Sequence, residues 1–145
     1  MREHTIAGII GAIGGVVAAA LGGWDYALRA LFMVMVVDYV TGWIVAAVFN
    51  KSKKTASGAI ESNAAFKGLV KKGVMLLIVL VGVSLDNLIQ VSFVRSMIII
   101  SIIVIELTSI TENLELMGIP IHKVTVLRKV IGILKERGEV ETEEK

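Results

Sequence analysis

Four apolar blocks, each close to the length that crosses a bilayer, leave this chain of 145 residues little else to fold with. A transmembrane helix needs about 20 mostly apolar residues. The blocks are residues 5–23, 28–49, 70–88 and 93–114. Asp38 interrupts the second, and Arg95 and Glu106 interrupt the fourth. The third reaches full length only if it continues through Asp86. The sequence therefore predicts an all-α integral membrane protein with about four transmembrane helices, or three if the first block does not insert. The transmembrane unit fills residues 1–120, and residues 121–145 form a separate basic and acidic tail.

The basic residues orient the chain. Between block two and Gly73, where the uninterrupted apolar run of block three begins, lie Lys51, Lys53, Lys54, Lys67, Lys71 and Lys72, with Glu61 the one acid. After block four come Lys123, Arg128, Lys129, Lys135 and Arg137. The positive-inside rule makes both regions cytoplasmic, and four spans then place both termini inside. Block one also has features of a cleaved signal peptide: a charged start, an apolar core and the small residues of "AAALGG". Its core is rich in glycine where a signal core favours leucine. Removing it would also upset the agreement between the two termini.

Composition supports a membrane chain and excludes several chemistries. The chain is 55% hydrophobic, with a mean hydropathy of +0.79; soluble domains are about 45–50% apolar. With no cysteine and only His4 and His122, thiol catalysis, disulfides and a zinc site are not expected. No nucleophile–base pair or phosphate-binding glycine loop supports an enzyme or a cofactor. A net charge of +2 makes no case for nucleic acid.

Block one carries a row of small residues, Ala7, Gly11, Gly15, Ala19 and Gly23, at four-residue spacing. Such rows let helix backbones approach closely in lipid. Whether the partner lies within the subunit or in a neighbour stays open. Block two sets Asp38 on one face with Gly42 and Ala46, at i, i+4 and i+8. A central Asp costs about 2.5–3.5 kcal/mol to insert. The nearest arginine in sequence, Arg29, lies about 13 Å away along the helix axis. Asp38 is thus expected to be neutral or to face water inside an oligomer. Glu106 repeats the pattern, with Ser109 and Asn113 on its side and Glu112 near the membrane exit. Intramembrane acids commonly mark function; the competing reading is an acid satisfied by Ser, Thr or Asn inside a static bundle.

Beyond Pro120, Leu127, Val130, Ile131 and Leu134 make one apolar stripe, flanked by Lys123, Arg128, Lys129 and Lys135. That is a basic amphipathic helix suited to the anionic inner leaflet or to a neighbouring subunit. The tail "EVETEEK" is acidic, with the composition of a disordered segment.

Two motifs carry a resemblance. "VVDYVTGW" holds Asp38, Tyr39, Thr41 and Gly42, and a basic loop with Ser57, Gly58, Gly68 and Lys71–Lys72 follows. "ELTSITENLELMGIPI" holds Glu106, Ser109, Ile110, Glu112, Asn113, Met117, Gly118 and Pro120. In this order, over about residues 31–121, they resemble the toxin secretion/phage lysis holins. Two positions depart from that pattern: Ile105 stands where the family often has Asn, removing a polar partner for Glu106, and His122 where a second Pro is common. The resemblance implies a non-enzymatic homo-oligomer of the bacterial cytoplasmic membrane. Such a protein permeabilises the bilayer, collapses the ion gradient and releases an endolysin or a toxin, with an antiholin as a further partner. Asp38, Tyr39, Thr41, Gly42, Ala46, Glu106, Ser109, Glu112 and Asn113 are the residues expected to serve the pore or assembly. The alternative is a narrow ion or proton channel, or a small transporter, using Asp38 and Glu106.

Overall fold

The computed structural model describes residues 2–120 and 129–137. His122, Lys123, Leu127, Arg128 and the acidic tail lie outside the described residues. The helices are α1 (Arg2–Ala20), α2 (Tyr26–Ile44), α3 (Ser62–Ile89) and α4 (Val94–Leu116); a π-helical turn, Val45–Phe49, prolongs α2. Residues 129–137 are also helical, and no strand occurs among the described residues. In hydrocarbon, a helix satisfies every backbone N–H and C=O within one segment, so chains this apolar fold as helices.

Three helices are long and apolar enough to cross a membrane: Tyr26–Phe49, Ser62–Ile89 and Val94–Leu116. The apolar part of α1, Thr5–Ala20, is shorter. By length the count is the lower of the two expected. Block one stops before residue 23 because Gly22 and Gly23 take φ of +87° and +100°. Their N–H groups donate back to the carbonyls of Ala19 and Ala18, a left-handed helix stop that glycine makes without strain. Gly23 therefore belongs to the turn and leaves the small-residue face of α1. The third helix starts at Ser62 instead of residue 70, and it runs through Asp86. Lys67, Lys71 and Lys72, grouped by sequence with the loop lysines, are thus helical.

A core column joins the three long helices. Leu28, Leu31 and Met35 of α2 pack with Met75 and Val79 of α3 and with Ile99 and Ile102 of α4, and Leu21 closes one end. The α2 residues fall at i, i+3 and i+7, as one helix face requires. Gly82 lets α4 approach α3: a Cβ there would lie 2.7 Å from Ile98 Cδ1 and 3.1 Å from Arg95 Cα. The outer sides carry exposed Met33, Val36, Val40, Leu77 and Val81, as lipid contact demands.

Two acids tie the end of the bundle opposite the lysine loop. The Asp86 carboxylate accepts from the N–H groups of Val94 (2.9 Å) and Arg95 (3.0 Å), capping α4. Arg95 donates to the Leu21 carbonyl at 2.6 Å and to Asp25 at 2.7 and 3.1 Å. The arginine that interrupts block four in sequence thus folds back to clamp the α1–α2 corner. Asp25 also accepts from Leu28 N–H at 2.9 Å and caps α2. The Arg95 guanidinium holds the Asp25 carboxyl below its ordinary value.

Candidate functional site

One turn beyond the apolar column, in each of the three long helices, the next inward-facing residue is charged. Asp38 follows Met35, Glu106 follows Ile102, and Lys72 precedes Met75. The Lys72 ammonium lies 2.8 Å from Asp38 Oδ2 and also donates to Glu106 Oε2. Side-chain exposure is only 12% for Lys72, 7% for Asp38 and 4% for Glu106. The expectation that both acids lack a basic partner is therefore corrected, and Lys72 is a buried bridge and not a surface cation.

Helix length explains how a lysine reaches so deep. Asp38 and Glu106 each lie 12 residues from the helix ends at Tyr26 and Val94, about 18 Å along the axis. Lys72 lies 17 residues from Ile89, about 25 Å. Its alkyl chain spans the difference by extending toward the bilayer centre, against the usual outward snorkelling. Two acids waiting there, in a medium of low dielectric, reverse the preference.

A second polar tier rests on the first. The Asn113 amide donates to Asp38 O (3.4 Å), Asp38 Oδ1 (3.3 Å) and Thr41 Oγ1 (3.0 Å). Thr41 donates to the Asp38 carbonyl at 3.0 Å, and the Ser109 hydroxyl faces the Asp38 carboxylate. Among the described residues no buried side-chain polar atom lacks a partner. Ile105, the departure expected to remove a polar neighbour from Glu106, is 48% exposed, and buried Glu106 finds its partner in Lys72 instead. Gly42 is half-buried beside Asn113, and Ala46 is buried. The small face of α2 is thus already covered, by α4 of the same subunit.

Above this layer α2 and α3 diverge around a cavity of ≈ 670 Å³. Tyr39, Trp43, Lys53, Lys54, Lys67 and Lys71 line it, together with the charged layer, Glu61 and Glu112. Loop 50–61 closes it on one side. Asn50 and Gly58 take left-handed φ, the Ser52 N–H donates to the Gly58 carbonyl and Thr55 Oγ1 to that of Ala59. The loop is therefore folded on itself and presents Lys53 and Lys54 inward; Lys51 stays outside the lining. Of the tail cations, Lys129, Lys135 and Arg137 are described and are exposed. On α1, Ala7, Gly11, Gly15 and Ala19 are exposed, with nothing within 4 Å of a Cβ built on either glycine.

The second motif is the C-terminal half of α4 and its stop. The helix ends at Leu116, Gly118 takes φ +83°, and the Gly118 and Ile119 N–H groups donate to Glu115 and Leu114 carbonyls. Pro120 then prevents continuation. Sequence missed Lys72 because a pair of lysines beside an apolar block reads as a membrane-edge cluster. One available signal was spacing: Lys72, Met75, Val79 and Gly82 share a face, whereas Lys71 does not. The π turn, which turns Val45 and Ala46 inward, has no sequence signal we can identify.

These features define a multi-pass helical membrane protein with a charged layer at mid-bundle. Residues 15–136 match the bacteriophage holin family, and the chain belongs to that family. It is 35% identical over 102 residues to an uncharacterized 14.9 kDa protein in the nagH 3′ region of Clostridium perfringens, covering 69% of this chain and 71% of the relative. It is 31% identical over 121 residues to a second uncharacterized protein of Clostridium perfringens (strain 13 / Type A), covering 82% of each chain. No solved structure matches it.

Proposed function

We propose that the protein is a homo-oligomeric holin of the bacterial cytoplasmic membrane, which permeabilises that membrane, collapses the ion gradient and lets an endolysin or a toxin out. The observation that carries this reading is the family match across residues 15–136, which spans all three long apolar helices and the charged layer between them. The lysine-bearing loop 50–61 and the helix at 129–137 face the cytoplasm by the positive-inside rule. With α1 inserted as a fourth span, both termini are cytoplasmic. The unit 1–120 is the membrane part, and 121–145 lies on the inner surface. No residue serves catalysis and no cofactor is bound; an antiholin is a regulatory partner.

Assembly uses surfaces that the single subunit leaves bare. The face Ala7, Gly11, Gly15 and Ala19 of α1 packs on a neighbour, where small residues allow close helix contact. The charged layer and its second tier, with Tyr39, Thr41, Gly42, Ala46, Ser109 and Glu112, meet water once subunits assemble. Expression in a bacterial inner membrane beside a cytosolic wall hydrolase tests the proposal. Lysis with release of the folded enzyme is expected. Ion leakage while the enzyme stays inside would refute it in favour of a narrow channel.

A further inference from the structure

We propose that the cavity between α2 and α3 is a binding site for one anionic glycerophospholipid per protomer, its phosphate held by Lys54, Lys67 and Lys71 and its acyl chains lying along Trp43 and Ile105. The cavity's ≈ 670 Å³ falls within the range of about 300–1,000 Å³ typical of ligand sites. Its lining mixes two chemistries. Trp43, Ile60, Val104, Ile105 and Leu116 are apolar; five lysines stand against the carboxylates Asp38, Glu61, Glu106 and Glu112. Asp38 and Glu106 are both taken by Lys72 at the floor. Glu61 accepts from Ser57. Lys53, Lys54, Lys67 and Lys71 are in no ion pair among the described residues. Glu61 and Glu112 keep their charges, so four lysines against two carboxylates leave the open part of the cavity with a net charge of +2, and its side wall is apolar.

Depth agrees with that division. The 28 residues of α3 extend about 42 Å, against about 30 Å of hydrocarbon. With Ile89 at the far surface, the hydrocarbon edge falls near Val70. Lys71 then sits at the boundary, and Lys67 lies one turn outside, at phosphate depth. Lys54 comes down from the loop: its ammonium is 3.9 Å from the position a Cβ of Gly42 would take. Basic pockets between membrane helices on the cytoplasmic side are a recurrent means of holding anionic headgroups. The site depends on the membrane location and not on permeabilisation, so its test reads lipid and not lysis.

Reconstitute the full chain with Trp24→Phe, so that Trp43 alone reports, and measure its quenching by brominated phosphatidylglycerol and by brominated phosphatidylcholine. We expect saturable quenching with about a tenfold preference for the anionic lipid. The pair Lys67→Gln/Lys71→Gln should cut the preference below twofold, whereas Lys51→Gln/Lys135→Gln, outside the cavity, should leave it within twofold of the parent. Ala65→Leu fills the cavity without removing charge and must also lower the preference, so the outcome does not hang on the folding of the lysine variant. Equal quenching by the two lipids, or equal loss from both lysine pairs, overturns the proposal in favour of unspecific surface attraction. Inorganic phosphate and glycerophosphoglycerol at millimolar concentration should fail to reverse the quenching; reversal by either would assign the site to a free phosphate and overturn the lipid reading.

Discussion

Lys72→Met is the substitution that most directly weighs the charged layer. Methionine matches the lysine stem in length, so the helix and its packing persist while the ammonium is lost. What remains is a pair of carboxylates with side-chain exposures of 7% and 4%, whose shared counter-ion is gone. Asp38 keeps the Asn113 amide; Glu106 loses the one cation bonded to it. Removing one partner of a buried ion pair costs about 3–5 kcal/mol, because the other charge stays desolvated. Neutralising the whole group is different: replacing a buried ionic cluster by uncharged residues of similar volume is often neutral or stabilising by about 1–4 kcal/mol. The combination Asp38→Asn/Lys72→Met/Glu106→Gln should therefore recover all or most of what Lys72→Met loses. Reversible unfolding in mixed micelles of a mild detergent and dodecyl sulfate, followed by helix content, measures both. If Lys72→Met lies within about 1 kcal/mol of the parent, or the triple variant is no more stable than the single one, the layer does not hold the bundle in the way described.

Two further predictions use the same assay. Gly82→Ala should destabilise by about 1–3 kcal/mol through overpacking against Ile98 and Arg95, whereas Gly73→Ala, on the same helix with open space around it, should be neutral or stabilise by up to about 1 kcal/mol. Asp25 is held below its ordinary value by Arg95, so its contribution is fully present above that value and is lost as pH falls through the lowered one. Asp25→Asn should remove that acid-sensitive part and lower stability slightly near neutral pH, a small effect because the carboxylate is 46% exposed.

The legible part of the fold was set by hydrophobic length. Blocks two and four map onto α2 with its π turn and onto α4 almost residue for residue. The two motifs became the charged layer and the helix stop at Gly118. Less legible was everything that depends on which side of an apolar helix faces inward. In α3 the residues on either side of Val79 are as apolar as Val79 itself, so hydrophobicity alone could not show which face turns inward, and with it whether Lys72 or Lys71 is buried. The start of α3 was missed because Ser62–Leu69 contains Lys67 and small polar residues, a composition that reads as loop; helix there needs only to leave the bilayer. Arg95 read as a blemish in block four because its partners, Leu21 and Asp25, are 70 or more residues away.

If the protein permeabilises the membrane as proposed, the charged layer also bears on when it does so. In the single subunit the three charged groups are kept from water, and that desolvation raises the energy of the closed bundle relative to any state in which they are hydrated. If assembly brings water to this layer, the hydrated state recovers the lost solvation, and the same charges that weaken the closed bundle favour the open one. Neutralising them should reverse both effects. The triple variant Asp38→Asn/Lys72→Met/Glu106→Gln is expected to match or exceed the parent in stability, yet to collapse the membrane potential of an expressing bacterium several-fold later at equal protein level. Each kcal/mol shifted between the two states changes their ratio about fivefold, so even a modest change in solvation should be visible in a timed depolarisation trace. A triple variant that is as stable as the parent and depolarises on the parent's schedule would remove the layer from the opening step.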